Sequence, residues 1–240
     1  MAELAERAYD SGIYTQSEFL TMAEQDALLR MKNTLHCPFT LEGGHPSCER
    51  RVAVFGTEEL CGYAYTPDIC CVKIAPRNEK FSDDLSHRDF LGALMNLGIR
   101  REPLGDIFIK GHSAYLFCLQ SIAPFVAQNL DKVKHTSVKC TVLEEVPQEL
   151  EARREPLSVN VPSERIDAVM AAVWKLSRSE SSRLFAAKKV FVNSMISENT
   201  SYTLKSGDTV SVRGLGKFIY QGQDRSTKKG RMYVSVDRLV

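Results

Sequence analysis

The sequence has no apolar run of the about 18 residues that a membrane-spanning helix needs. Its first residues are acidic and lack the basic segment and apolar core of a secretory signal. The cysteine count is seven, an odd number, and no two cysteines form a Cys-x-x-Cys pair. These absences predict a cytoplasmic protein without a membrane partner. They also predict reduced thiols and no bound metal ion, because disulfide frameworks and structural zinc sites use paired, closely spaced cysteines.

The composition is that of an ordinary soluble globular chain. Its 240 residues are 43% hydrophobic and 25% charged, which argues against a disordered tail or a fibrous repeat. The length accommodates one to three domains with a sizeable core.

The formal net charge of +1 hides two halves of opposite sign. Residues 1–156 hold 17 Lys and Arg against 23 Asp and Glu, a net charge of −6. Residues 157–240 hold 14 against 7, a net charge of +7. Such asymmetry favours a polyanion, above all a nucleic acid, as the partner of the basic half. The alternative is a solvated surface that happens to be basic, and the local arrangement of residues has to decide between them.

Periodicity in the basic half predicts two helices followed by short strands. Ser163 suits the N-cap of a first helix that reaches about Lys175. Ser177 and Glu180 form a capping box that starts a second helix, which ends near residue 187. Strands are predicted at residues 190–192, 209–213, 217–220 and 231–236, with a polar hairpin loop at 221–230 and a linker at 151–156. The apolar stripe of the first helix consists of Ile166, Val169, Met170, Val173 and Trp174.

This helix–helix–strand order resembles the S4 domain, which carries an αL-type RNA-binding fold. The segments that carry the resemblance are Arg165-Ile166-Asp167, Ser177-Arg178-Ser179-Glu180 with Arg183, Val190-Phe191-Val192-Asn193, Gly207-Asp208 and Val212-Arg213-Gly214. Two positions depart from the pattern, since glycine often stands where this chain has Lys188 and Ser194. The turns at these two positions are expected to differ slightly from the S4 pattern.

We expect the second of these helices and its flanks to bind structured RNA, which is recognised mostly through shape, phosphates and 2′-hydroxyls. Basic side chains beside the free amides of a helix N-terminus suit phosphate groups. For any single cation a solvated role is an equal alternative, so the prediction concerns the group. Trp174 is expected in the core rather than against a base. The candidate RNA-binding residues are Arg165, Lys175, Ser177, Arg178, Ser179, Arg183, Lys188, Lys189, Asn193 and Arg213.

The rest of the chain predicts a helical N-terminal segment (1–40) and an α+β middle domain (41–155), before the S4 domain at 157–240. Helices are predicted at 17–33, 86–97 and 121–133, and strands at 49–55, 70–74, 105–109, 114–117 and 137–143. This order of strand, helix and hairpin is typical of a ferredoxin-like or RRM-like sandwich. The middle domain lacks an obvious aromatic ladder, so base stacking is not assigned to it. Arg100 and Arg101 are expected to be solvated or ion-paired rather than bound to RNA.

A second resemblance covers most of the chain and concerns the bacterial YlmH family. It rests on Gly43-Gly44 with Cys48-Glu49-Arg50, on residues 87–94, on Leu97-Gly98-Ile99-Arg100-Arg101 and on Gly105-Asp106-Ile107. The resemblance implies a cytosolic protein that associates with the large ribosomal subunit. It also implies binding to rRNA and peptidyl-tRNA in the rescue of stalled ribosomes, which is a form of ribosome-associated quality control.

Two other functions stay open at this point, an RNA-modifying enzyme and an interaction protein of cell division. A pseudouridine synthase needs a catalytic aspartate in a sizeable domain of its own. A methyltransferase needs a Gly-rich cofactor loop after a strand, and the sequence shows neither pattern. We therefore predict a non-catalytic protein with no catalytic residue, no cofactor and no small-molecule substrate.

Overall fold

The computed structural model describes residues 1–147, 150, 154–226 and 231–239. The chain divides into two compact units, Met1–Glu151 and Ala152–Val240. Both units combine helices with antiparallel sheets, so the predicted α+β class is confirmed. The finer division at residues 40 and 155 stays a prediction. Among the described residues, no helix has both the length and the apolar character to span a bilayer.

The first unit contains five helices and two sheets among its described residues. Its elements in chain order are α1 (Ala2–Ser11), β1 (Thr15–Gln16), α2 (Met22–Arg30), a 3-10 turn (Lys32–Thr34), β2 (Phe39–Glu42), β3 (Val52–Phe55), α3 (Glu58–Cys61), β4 (Ile69–Pro76), a 3-10 turn (Glu79–Phe81), α4 (His87–Asn96), β5 (Leu104–Lys110), β6 (Ser113–Leu119), α5 (Ala123–Asn129), β7 (Lys132–Val133) and β8 (Thr136–Leu143).

The larger sheet of this unit has the ferredoxin-like topology that the sequence predicts. Its five strands lie in the order β5-β6-β4-β8-β7, and every neighbouring pair is antiparallel. Helix α4 follows β4 and helix α5 follows β6, so the chain runs β-α-β-β-α-β. Both helices pack on one face of the sheet. Alternate residues of each strand point to that face, so their apolar side chains form a core with the helices. The core on that face includes Val72, Ile74, Phe90, Leu94, Leu116, Val126 and Val138.

The smaller sheet was not predicted. It has the order β1-β3-β2 and draws its central strand from residues that the sequence assigns to the middle domain. The predicted strand at 49–55 begins only at Val52, because the amides of Glu49 and Arg50 donate to the Asp106 carboxylate at 2.5 and 2.9 Å. Those two amides are therefore not available for a strand ladder.

The predicted helix at 17–33 is wrong at both ends. The amide of Ser17 donates to the carbonyl of Ala53 at 2.9 Å, and this bond continues the pairing of β1 with β3. Helix α2 starts after Thr21, which forms a capping box with Glu24. The predicted helix at 121–133 is likewise too long, since α5 ends at Asn129 and Lys132–Val133 pairs with β8.

Among its described residues, the second unit consists of a six-stranded antiparallel sheet and two helices. Its elements are β9 (Arg154–Val161), α6 (Ile166–Trp174), α7 (Arg178–Ala186), β10 (Val190–Val192), β11 (Met195–Ile196), β12 (Thr209–Val212), β13 (Gly216–Ser226) and β14 (Met232–Leu239). The strand order is β11-β10-β12-β13-β14-β9. The helix–helix–strand order of the S4 resemblance is therefore present, and β9 adds an edge strand that the sequence did not predict.

Three boundaries in this unit correct the sequence predictions. Ser163 does not cap α6, because Glu164 and Ile166 take part in backbone bonds to residues 202–204, and the helix begins only at Ile166. The predicted linker at 151–156 is strand from Arg154 onward, and residues 151–153 lie outside the described residues. The predicted loop at 221–230 is strand as far as Ser226, and residues 227–230 lie outside the described residues.

Lys188 and Ser194 both adopt left-handed backbone conformations, with φ of 52° and 70°. These are the positions where S4 domains often carry glycine. The turns therefore keep a glycine-like backbone rather than a different one, which corrects the sequence expectation. A side chain in this region costs about 1–2 kcal/mol, because the Cβ atom crowds the following carbonyl oxygen.

Replacing Ser194 by glycine tests this strain. We expect Ser194→Gly to raise the free energy of unfolding by about 0.5–1 kcal/mol, since part of the relieved strain is offset by the greater freedom of glycine in the unfolded chain. Urea denaturation measures the change. The matched control is Ser182→Gly at an exposed position of α7, which should instead lower the free energy of unfolding by roughly 0.5 kcal/mol, because glycine is a poorer helix former than serine. A destabilised Ser194→Gly would contradict the argument.

Candidate nucleic-acid interface

Helix α7 starts with the capping box that the sequence predicts. The Ser177 hydroxyl donates to Glu180 Oε2 at 2.6 Å and accepts from the Glu180 amide at 3.2 Å. The Ser177 amide donates to the same carboxylate at 2.8 Å. These hydrogen bonds from Ser177 lower the pKa of Glu180 below its usual value. Ser177 is thus engaged in fixing the start of α7, while its neighbour Arg178 is exposed.

The orientation of α7 follows from the apolar stripe of α6. Ile166, Val169 and Met170 are fully buried against the sheet, as the periodicity predicts. Trp174 packs on the same core, with its ring centroid 5.3 Å from that of Phe218. Phe185 on α7 is buried in the same core and so fixes α7 against it. Because these apolar groups face inward, the polar side of α7 is left to solvent.

Several predicted cations follow this polar side without a carboxylate partner. Arg178 and Arg183 are both exposed on α7, and Lys189 lies just beyond its end. Among the described residues, none of these cations forms an ion pair, and the same holds for Lys175 and Arg213. The α7 surface is defined here as Lys175, Arg178, Arg183, Lys188, Lys189 and Arg213. A helix of nine residues is roughly 13 Å long, so the surface spans several phosphate groups.

Two other predicted cations are neutralised within the protein. The Arg165 guanidinium donates to both carboxylate oxygens of Asp167, at 3.1 and 2.7 Å. The Lys188 ammonium lies 2.7 Å from Glu198 Oε1, and both side chains are exposed. An exposed pair of this kind contributes little to stability, and a phosphate group can displace the carboxylate.

A cavity of about 760 Å³ lies beside the start of α7. Three arginines line it, Arg165, Arg178 and Arg231, together with the carboxylate of Asp167. Its wall also holds Ser181, whose buried hydroxyl has no hydrogen-bond partner among the described residues. The concentration of guanidinium groups suits phosphate oxygens, which accept two parallel hydrogen bonds from one arginine.

The structure joins the end of α7 to strand β12. The amide of Arg213 donates to the carbonyl of Lys189 at 3.0 Å, so these two cations share one turn region. The Arg213 guanidinium lies over the ring of Phe191, 5.5 Å from its centroid. A cation stacked on an aromatic ring in this way keeps its hydrogen-bond donors available at the ring edge.

Asn193 has an internal role that sequence reasoning did not foresee. Its side-chain amide donates to Asp208 Oδ1 at 2.8 Å, and its oxygen accepts from the Thr209 amide at 2.9 Å. Asp208 is buried and also accepts from Tyr202 and from the amide of Lys205. Asn193 therefore ties β10 to the turn before β12, and its prediction as an RNA contact stays without structural support.

Sequence reasoning missed Arg231 and Asn160, which line the same cavity as Arg178. Arg231 donates to the Asn160 side-chain oxygen at 2.5 Å and to its carbonyl at 3.0 Å. The signal for strand β9 was present, because Leu157, Val159 and Val161 alternate with polar residues. A proline at 156 normally argues against a strand, but β9 is an edge strand, where proline is tolerated.

Arg100 and Arg101 make different contacts. Arg100 forms an exposed ion pair with Glu18 at 3.3 Å. Arg101 donates to the carbonyls of Leu104 and Gly105. Burial lowers its pKa to about 10. Both side chains thus serve contacts within the first unit.

Comparisons with known proteins cover different shares of the chain. A family model described as a putative RNA-binding domain in YlmH matches residues 68–147, which include the sheet strands β4, β5, β6, β7 and β8. The YlmH resemblance is confirmed. A relative, ribosome-associated protein quality control protein P2 of Bacillus subtilis (strain 168), is 28% identical over 230 residues, which are 92% of this chain and 86% of the relative. A solved structure, cell division protein YlmH from Streptococcus pneumoniae, is 22% identical with a TM-score of 0.46, over 59% of this chain and 85% of that one.

Replacing Asn193 by alanine separates its internal role from an RNA contact. We expect Asn193→Ala to lower the free energy of unfolding by about 2 kcal/mol, because the buried Asp208 loses a donor and alanine is strained at φ of 50°. RNA affinity of the folded protein should stay within twofold of the wild type. Urea denaturation and a fluorescence RNA-binding assay measure the two quantities. Unchanged stability with weakened RNA binding would instead assign the side chain to RNA.

Proposed function

We propose that this protein is a non-catalytic RNA-binding factor of ribosome-associated quality control. Its second unit would act as an S4 domain that docks on rRNA of the large ribosomal subunit, with peptidyl-tRNA as a second ligand. The proposal rests on the exposed cations along α7, of which Arg178, Arg183 and Lys189 form no ion pair among the described residues, and on the neighbouring cavity with its arginine lining. The name of the relative supports quality control as the process, and the family model over residues 68–147 supports RNA as a ligand of the protein.

The chemistry of the α7 surface supports binding to phosphate. Guanidinium and ammonium groups are common donors to nucleic-acid phosphates, and such contacts fix position without reading sequence. The residues of the second unit carry twice as many cations as anions, at 14 Lys and Arg against 7 Asp and Glu from residue 157 onward. That excess attracts a polyanion from a distance and speeds its association.

The carboxylates beside this surface support a binding role over a catalytic one. Asp167 accepts hydrogen bonds from the Arg165 guanidinium and the Ala168 amide, and Glu180 accepts from the Ser177 hydroxyl and amide. A general base has to accept a proton from a substrate, and a carboxylate engaged in two or three internal bonds is poorly placed to do so. Positioning of RNA on the ribosome, which takes place in the cytoplasm, therefore fits the geometry better than RNA modification.

Reversing two charges on α7 tests the proposal. We expect Arg178→Glu with Arg183→Glu to abolish co-sedimentation with the large ribosomal subunit, because the surface then repels phosphate. The matched control, Lys205→Glu with Lys217→Glu, changes the charge of the same unit equally outside the α7 surface and should retain binding. Circular dichroism and thermal unfolding show whether each variant is folded. Undiminished co-sedimentation of the folded α7 variant would overturn the proposal.

The salt dependence of binding gives an independent measure. Five or six phosphate contacts predict that the logarithm of the association constant falls with the logarithm of salt concentration at a slope of roughly −4 to −5. Fluorescence anisotropy with a labelled rRNA hairpin, at salt concentrations from about 50 to about 300 mM, measures the slope. A flat dependence would exclude binding through phosphate.

A further inference from the structure

The open face of the larger sheet carries a second basic surface, in a unit whose overall charge is acidic. Helices α4 and α5 cover one face of this sheet, and the opposite face holds Lys73, Ala75, Lys139 and Thr141 on strands β4 and β8. These residues, together with Pro76 and Arg77, line a groove of about 490 Å³. The β4–β8 groove is defined by these six residues, and all of them fall within the range of the family model.

The register of the two strands brings the cations together. Lys73 lies directly opposite Thr141, and Ala75 lies directly opposite Lys139. Lys73 and Lys139 are therefore diagonal neighbours on one face, roughly 7 Å apart at their Cα atoms. Arg77 joins them from the end of β4, where its Nε atom donates to the carbonyl of Val138 at 3.2 Å.

The described lining of the groove contains three cations and no Asp or Glu. Among the described residues, none of the three cations forms an ion pair. This is notable because residues 1–156 hold 23 Asp and Glu against 17 Lys and Arg. Like charges at this spacing repel each other, and the repulsion is relieved when an anion binds between them.

The rest of the open face is closed to bases. Tyr115 and Phe117 lie on β6, at the position where a ferredoxin-like sheet would present aromatic rings, but both are buried. The loop that contains Gly44 covers Phe117: a Cβ atom at Gly44 would stand 2.8 Å from Phe117 Cδ1. The His45 ring packs on Phe117 as well, with 6.1 Å between ring centroids. Stacking of an RNA base on the Phe117 ring would therefore require this loop to move away from the sheet.

We infer that the β4–β8 groove binds the phosphate backbone of RNA as a second contact surface, without stacking of bases and without sequence preference. The inference rests on the proposed function in that the protein binds RNA, but it concerns a separate unit of the chain. An acidic protein segment is the other polyanion that such a groove could hold. The groove lies in residues that match a putative RNA-binding domain, and this favours RNA.

The test uses the full chain and two labelled 16-nucleotide probes, oligouridylate and oligoadenylate. The groove variant is Arg77→Glu with Lys139→Glu, since both side chains are exposed. The matched control is Arg88→Glu with Lys32→Glu, which changes one exposed arginine and one exposed lysine in the same unit, neither of them on a strand of the larger sheet. Thermal unfolding checks that both variants are folded, and Lys139→Glu alone serves if the double variant is not.

We expect the groove variant to weaken binding of both probes about five- to tenfold. Each lost phosphate contact should reduce the log–log salt slope by about 0.7, so the slope should fall by about 1.5. The control should change affinity by less than twofold. The ratio of the two probe affinities should stay the same in wild type and variant, because phosphates carry no base identity.

Other outcomes separate this inference from the proposed function. If Arg178→Glu with Arg183→Glu weakens RNA binding while the groove variant behaves like its control, the groove inference is overturned and the proposed function stands. Probe-specific loss in the groove variant would also overturn it, because that result requires contact with bases. Binding of polyglutamate to the wild type but not to the groove variant, with RNA binding unaffected, would assign the groove to an acidic protein. A wild type that binds neither probe nor ribosomes would overturn both.

Discussion

One-sided burial of helices on antiparallel sheets is the constraint on which the rest of this structure depends. In the second unit, the stripe of α6 that contains Ile166, Val169 and Met170 is buried on the sheet, and Phe185 ties α7 to the same core. In the first unit, α4 and α5 cover a single face of the five-stranded sheet. A helix or sheet that buries one side leaves the other side to solvent. Both basic surfaces lie on sides that are left in this way.

Internal hydrogen bonds then decide which polar groups remain available to a ligand. Three polar residues of the S4-like segments form internal hydrogen bonds that stabilise turns or helix ends, namely Ser177, Asp167 and Asn193. Arg178 and Arg183 stay without a carboxylate partner among the described residues. The S4-like motif thus contains two kinds of residue. Some hold the backbone through internal hydrogen bonds, and others are exposed to a ligand. The hydrogen-bond partners in the structure distinguish the two kinds, whereas the spacing in the sequence does not.

Much of the fold could be predicted from the sequence, because local signals agree with it. The capping box at Ser177, the stripe of α6 and the hairpin of β5 and β6 all act within a few residues of the chain. The predicted element boundaries are wrong where contacts with distant segments determine the backbone conformation. Ser163 is a good N-cap by itself, yet pairing with residues 202–204 delays the helix. The strand at 49–55 is shortened by Asp106, more than fifty residues away.

The candidate site was predicted only in part for the same reason. The cations of α7 stand in one continuous motif, so they could be found, whereas Arg231 and Asn160 reach the cavity through pairing of β9 with β14. The glycine-like conformations of Lys188 and Ser194 could not be predicted from residue type either, because both residues normally avoid them. Tertiary context, rather than local propensity, sets these positions.

The central claim is that the α7 surface touches RNA on the ribosome. The most direct measurement is ultraviolet crosslinking of the protein bound to large ribosomal subunits, followed by mass spectrometry of the peptides that carry nucleotides. The account predicts crosslinked peptides from residues 163–189 and from the region around Arg231, which line or flank the cavity. Crosslinks confined to α1 and the small three-stranded sheet, with none in the second unit, would contradict it.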